Sequence, residues 1–194
     1  QLGELPMGVF VGLMNADWLA LRADDARVSV YAATGGQPSV AAGRISFTHG
    51  LQGPSVTVDT ACSSALVAMD AARLCLASDI SHAVACAANL LLAPRTSLLF
   101  ATASMLSADG RCKTFDARAN GYVRGEGIGA LVLRQDEESS RPSSALLLAT
   151  AVRQDGRSAS LTAPNGDAQR AMLLEAFSRA GAAAGELRVA QAHG

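Results

Sequence analysis

The sequence predicts a layered α/β fold, and three observations predict it. Short apolar runs read as buried strands. They alternate with stretches of helical period. The apolar content is carried by Ala, Gly, Val and Leu, with aromatics at only 4%, which suits close packing of helices on a sheet. Hydrophobic residues make up 49% of the 194 and charged residues 17%, a composition that excludes a disordered chain. A length of 194 residues is about one domain.

Met7–Gly12 reads as a buried strand. Asn15–Gly36 reads as loop, carrying Trp18 and Tyr31. Pro38–Phe47 reads as a short helix with Pro in its first turn. Gly50–Pro54 is a turn, and Ser55–Val58 a β-rich strand. The period then changes: from Ser63 to Ser78, Ala65, Met69, Ala72 and Leu76 fall on one helical face. Val84–Leu92 is a second buried strand and Ser107–Gly110 a turn. Gly127–Leu133 and Ala145–Val152 read as strands joined by the polar loop Gln135–Ser144. Asp155–Gly166 is a long loop. Asp167 is placed to cap a helix running to Ala180, which Gly181 stops, and Leu187–Ala192 is a last strand.

The formal net charge is −1 and no basic stripe is present, which argues against nucleic acid as a partner. The four cysteines, Cys62, Cys75, Cys86 and Cys112, form no Cys-x-x-Cys pair, and no histidine cluster has zinc spacing. Reduced thiols in a cytoplasmic setting are expected. The opening residues lack the basic region of a signal peptide, and no apolar run reaches the ~18 residues of a membrane span. Both ends of the sequence look cut.

The informative stretch is Val58-Asp59-Thr60-Ala61-Cys62-Ser63-Ser64. A strand ends and a helix begins within four residues, so Cys62 sits on a sharp turn of nucleophile-elbow type. Unpaired N–H groups and the positive end of the helix dipole both favour a thiolate there, and can stabilise an oxyanion. Free Cys is also often a plain core residue, and spacing alone leaves the two readings of Cys62 even. Cys75 and Cys86 read as buried structural thiols. Cys112 lies on a loop between Arg111 and Lys113.

The residues Gly43-Arg44-Ile45-Ser46-Phe47, Gly53-Pro54-Ser55 and Val58 to Ser64 together resemble the active-site block of β-ketoacyl synthases, in particular the ketosynthase domains of modular (type I) polyketide synthases. The resemblance continues through Leu106–Asp116, Gly121–Gly127, Gln154–Arg157 and Leu161–Gly166 to Ala192-His193-Gly194. It implies a thiolase-like α-β-α-β-α fold, of which residues 1–194 are roughly the N-terminal half. It implies that Cys62 is the nucleophile that takes an acyl chain from a phosphopantetheine carrier. His193 would stabilise the enolate formed when a malonyl-type extender loses carbon dioxide, in polyketide or fatty-acid biosynthesis. The implied partners are acyl carrier protein, a second copy in a homodimer, and neighbouring synthase domains. No directly bound cofactor, metal or membrane is implied. The dimer would pair the strand around Ala83–Asn89 with its copy. His49 and His82 match no catalytic position and read as surface or turn residues. Gln191 stands where the family usually has an acidic residue, and Arg153 where it often has Asn. The second histidine and the lysine of the family's site lie further along than Gly194. Residues 1–194 alone are therefore expected to be inactive and poorly stable.

Three rivals are weaker. Gly125-x-Gly127-x-Gly129 leads into a strand-like run, the wrong context for a dinucleotide loop. The local signatures of cysteine proteases are missing, as is the Gly-x-Ser-x-Gly of serine hydrolases. The remaining alternative is a non-elongating ketosynthase, a carrier-binding gatekeeper that passes chains on without condensing them.

Overall fold

A computed structural model describes residues 6–14, 17–22, 29–78, 80–135 and 143–193. The chain divides into two compact units, Gln1–Gln135 with His193–Gly194, and Asp136–Ala192.

The first unit is built on strand β1 (Met7–Leu13). Its first six residues are all buried, because both of its faces are covered and both of its edges are paired. After it come two short helices, α1 (Asp17–Leu21) and α2 (Ala32–Gly36), within the stretch that reads as loop in the sequence. A 3₁₀ turn at Pro38–Val40 leads into α3 (Ala41–His49), which ends on Gly50 in the left-handed conformation. Strand β2 (Ser55–Val58), helix α4 (Ser64–Cys75) and strand β3 (His82–Asn89) follow, then α5 (Pro94–Thr102) and β4 (Gly127–Arg134).

The four strands form one sheet in the order β2-β1-β3-β4. β1 runs parallel to β2 and β3, with Gly12 opposite both Val58 and Ala87, whereas β4 is antiparallel to β3. Alternation along β1 sorts the core into two layers. Met7, Val9 and Val11 pack with Ala42 of α3 and Leu51. Phe10 packs with Ala68, Ala72 and Leu76 from α4 and its end, and with Ala83 and Ala85 of β3. The sheet therefore lies between two helices, an α-β-α arrangement.

The helical period of the α4 segment is confirmed, but its buried stripe is Ser64, Ala68 and Ala72, continued by Leu76. Ala65 is exposed and Met69 only half-buried, so the predicted face is rotated by about one residue. Small residues at 68 and 72 let the helix axis lie close over β1 and β3. Gly12 shows how close: a Cβ there would sit 2.6 Å from the backbone carbon and oxygen of Ser64.

Two expectations are corrected by the ladder. β3 is hydrogen-bonded on one side to β1 and on the other to β4, so Ala83–Asn89 has no free edge with which to pair a second copy. Among the described residues the outer strands are β2 and β4. His82, expected at the surface or in a turn, is the half-buried first residue of β3. Its ring nitrogen lies 3.0 Å from the Ser81 hydroxyl. His49 is exposed at the end of α3, as expected.

The second unit carries helix α6 (Gly166–Ala180), stopped by Gly181 at φ 62° in agreement with the sequence. Its cap is Asn165 rather than Asp167. The Asn165 side-chain oxygen accepts from the backbone N–H of Asp167 at 3.1 Å and of Ala168 at 3.2 Å. Its amide nitrogen donates back to the Asp155 carbonyl at 2.8 Å, tying the long loop to the helix. The runs Ala145–Val152 and Leu187–Ala192 have strand-like composition but form no ladder among the described residues. A strand exists only through its partner, and neither run finds one there. Most of the Gln135–Ser144 loop lies outside the described residues.

Candidate active site

The site is made by the way β2 hands over to α4. β2 ends at Val58, a single 3₁₀ turn spans Ala61–Ser63, and α4 starts at Ser64. Ala61 has φ +56°, a left-handed conformation that disfavours any residue with a Cβ. Such strain persists only where the surroundings enforce it. Here they do so through side chains. The Asp59 carboxylate accepts from the Ala61 N–H at 2.9 Å. Ser64 Oγ accepts from the Thr60 N–H at 2.8 Å and donates to the Ala61 carbonyl at 2.7 Å. Ser63 Oγ donates to the Thr60 carbonyl at 2.9 Å. The polar residues of the motif thus spend their hydrogen bonds on the turn, and Cys62 between them is left exposed. The predicted elbow is present, and its serines hold it.

A cavity of about 680 Å³ opens beside this turn. Ala61, Cys62, Ser64 and Ala65 line it, with Gly12 and Ala87–Asn89 from the ends of β1 and β3. Phe100 of α5, Met105, Tyr122–Gly129 and His193 complete the lining, Gly127–Gly129 being laddered directly to Ala87–Asn89. Sequence reasoning names Cys62 and His193, and the structure brings both to one cavity. His193 is exposed and groups with the first unit, although residues 136–192 do not.

The other cysteines lie elsewhere. Cys75 is the last residue of α4 and Cys86 sits in β3; both are half-buried rather than buried, and desolvation pushes both thiols up from the ordinary 9.0. Cys112 is exposed, and its sulfur accepts from the Val123 N–H at 3.2 Å. Beside it, Asp109 receives Lys113 Nζ at 2.8 Å and the Ser107 hydroxyl, which hold its carboxyl far below the usual range and brace the Ser107–Asn120 loop. Among the described residues no three His, Cys, Asp or Glu side chains gather as a metal site.

Of the remaining lining, Tyr122–Gly127 fall in the Gly121–Gly127 block of the sequence, whereas Phe100 lies outside every such block. Phe100 lies tilted against Tyr122, with ring centroids 6.4 Å apart, and the Arg124 guanidinium sits 5.4 Å over its ring. Arg124 also donates to Ser97 at 2.9 Å. Glu126 accepts from the Leu91 N–H at 2.7 Å, and Asn89 donates to the Gly125 carbonyl at 2.5 Å. One signal for α5 is present, Pro94, a residue suited to a helix's first turn.

The family profile described as the beta-ketoacyl synthase N-terminal domain matches residues 1–139, and that of the C-terminal domain matches residues 144–194. The chain belongs to the β-ketoacyl synthase family. It is 44% identical over 178 residues to the hybrid PKS-NRPS synthetase pvhA of Talaromyces variabilis, covering 89% of this chain and 4% of that protein. It is 41% identical over 192 residues to the erythronolide synthase EryA2 of Saccharopolyspora erythraea, covering 96% of this chain and 5% of that protein. Among solved structures, it resembles the ketosynthase from module 6 of the bacillaene synthase of Bacillus subtilis 168. That match has a TM-score of 0.80 and 33% identity, over 93% of this chain and 31% of the other. The oxazolomycin ketosynthase domain OzmH KS7 of Streptomyces albus JA3453 matches with a TM-score of 0.83 and 35% identity, over 96% of this chain and 34% of the other. The fold class is therefore thiolase-like, and this ketosynthase chain spans a small part of the curated relatives it matches and about a third of the solved ones.

Proposed function

We propose that these 194 residues are the Cys-bearing part of a larger ketosynthase domain that forms carbon–carbon bonds in polyketide assembly. The observation that carries the reading is the side-chain-braced turn that exposes Cys62 into a mostly apolar cavity shared with His193. An apolar chamber suits an acyl chain, and the exposed sulfur suits attack on its thioester.

In the first half-reaction Cys62 Sγ attacks the carbonyl carbon of an acyl chain carried on phosphopantetheine. The carbon–sulfur bond to the carrier breaks, and the carrier leaves as a thiolate that takes a proton from water. Backbone N–H groups at the start of α4 stabilise the oxyanion. In the second half-reaction a malonyl-type carrier enters. Its carboxylate leaves as carbon dioxide, and the electron pair of that carbon–carbon bond becomes an enolate. His193 donates an N–H to the enolate oxygen. The enolate carbon attacks the acyl carbon, the Cys62 thioester breaks, and the thiolate is restored. Partners on this reading are acyl carrier protein, adjoining synthase domains and a second copy in a cytoplasmic homodimer. Since β3 is paired on both edges, such a dimer would use another part of the surface.

The test uses the full ketosynthase domain that contains this chain. Incubation with an acyl thioester should add the acyl mass to the protein, and Cys62→Ala should abolish the addition. His193→Ala should keep acylation and lose most condensation, by a factor of about 100 for one donor. Acyl-enzyme formation by Cys62→Ala would refute the assignment. A wild-type domain that is acylated yet never condenses with malonyl carrier would instead support a gatekeeper that does not elongate.

A further inference from the structure

Asp17 is a buried carboxylate that the proposed chemistry does not use. It is only 7% exposed, at the first residue of α1. Both of its oxygens are occupied, by partners from one short segment far along the chain. Oδ2 accepts from the Leu92 and Ala93 N–H groups, each at 3.2 Å, and Oδ1 accepts from the Thr96 hydroxyl at 2.9 Å. That segment is the beginning of α5. Its own cap position is Ala93, which has no side-chain acceptor, and Pro94 follows. A helix start with no local cap leaves N–H groups and a positive dipole end to be satisfied, and a carboxylate is the suitable group. Asp17 supplies it from across the fold.

α5 carries Phe100 into the cavity beside Cys62. The ring is fixed on the cavity side by Arg124 and Tyr122. The opposite end of its helix is fixed by Asp17. The connection into α5 is also held by Glu126, which accepts from the Leu91 N–H.

We propose that Asp17 is a positioning residue for acyl-chain selection: by capping α5 from a distance, it sets how far Phe100 reaches into the chamber beside Cys62. This rests on the reading of Cys62 as the acyl acceptor. The carboxylate touches no reacting atom. It acts through the placement of one ring. With the cap removed, the first turn of α5 loosens, the ring yields, and longer chains enter.

The experiment measures acylation of Cys62 in the full domain with acetyl and octanoyl N-acetylcysteamine thioesters, taking the ratio of kcat/KM for the long chain to that for the short. Asp17→Ala should raise the ratio about tenfold, the scale set by gaining or losing room in an apolar pocket. Phe100→Ala should raise it similarly. The double variant should go no further than Phe100→Ala alone, because both changes act on the same ring. Asp17→Asn should keep the wild-type ratio, since its oxygen can take the two N–H groups while its amide donates to the Thr96 hydroxyl. Thr96→Val removes one donor at nearly constant shape and should shift the ratio the same way by a smaller factor. It reads the same contact if Asp17→Ala does not fold. An unchanged ratio in both Asp17→Ala and Thr96→Val overturns the proposal, as does a double variant in which the effects multiply. An Asp17→Asn ratio shifted as far as that of Asp17→Ala overturns it too. A wild-type domain that takes no acyl group at Cys62 sinks the underlying reading and this one with it. Normal acylation with an indifferent Asp17 sinks this one alone.

Discussion

The two ends of α4 carry the same residue type in opposite circumstances. Before its first turn, Cys62 is exposed on a strained loop whose neighbours are hydrogen-bonded to one another. At its last residue, Cys75 lies half-buried against the Phe10 cluster, and desolvation raises its thiol. Nothing in the side chain differs. What differs is the backbone: one sulfur is turned out at a point where the strand cannot continue, and the other is turned in by the helix period. The comparison teaches that the exposure of a cysteine here is set by backbone course, which the hydrogen bonds within residues 59–64 and the close approach of β1 fix at Cys62.

The largest expected effect tests that contrast directly. Iodoacetamide should modify Cys62 at least about tenfold faster than Cys75 or Cys86, with exposed Cys112 second, as read by peptide mass mapping. Equal rates at Cys62 and Cys75 would remove the distinction between the two ends. Next comes Gly12→Ala. Its new Cβ meets Ser64 backbone, which cannot rotate away, so α4 must shift. A loss of about 1–3 kcal/mol in urea unfolding is expected, together with slower labelling of Cys62 and unchanged labelling of Cys112. A smaller change, of opposite sign, is expected for Ala61→Gly. It relieves the positive-φ strain by about 1 kcal/mol and gives part of that back in unfolded-chain entropy, for a net gain below ~1 kcal/mol. Destabilisation would mean that the Ala61 methyl has packing worth more than its strain.

The smallest effect is one of pH. Burial raises the Cys75 and Cys86 thiols above 9.0, so the folded state holds these protons more tightly than the unfolded chain does. The associated stability is fully present below about pH 9 and is lost as pH rises through the folded values. The urea midpoint should therefore fall above pH 9, and the fall should be shallower in Cys75→Ala/Cys86→Ala.

Much of the first unit is legible in the sequence because its signals are local. An apolar run in Met7–Leu13, a β-branched pair in Val56-Thr57 and helical period after Ser63 each need only neighbours in sequence, as does the stopping glycine at 181 in the second unit. Cys62 is legible for the same reason, since a strand-to-helix turn is written in consecutive residues. The packing that places Phe100 in the cavity wall is not, because Asp17, Phe100 and Arg124 belong to segments that come together only in space. The choice of Asp167 over Asn165 as a cap is a boundary error of two residues between equally suitable side chains. The misplaced dimer strand is a topological error: composition marks β3 as apolar but does not reveal that β4 returns antiparallel to cover its second edge. Ala145–Val152 fails for the converse reason, since strand composition without a partner makes no ladder.

The order β2-β1-β3-β4 also bears on how the chain is made. β1 leaves the ribosome before any of its partners. Its first neighbour spans Ser55–Val58 and its second His82–Asn89. At a synthesis rate of about 5–20 residues per second, the buried residues of β1 wait on the order of ten seconds for the second neighbour. Folding of this sheet is thus gated by non-local pairing, slow by its connectivity even where each local segment is well specified. A nascent chain stalled between residues 58 and 82 would present β1 with one edge unpaired, a form open to chaperones and to mispairing with another copy of itself.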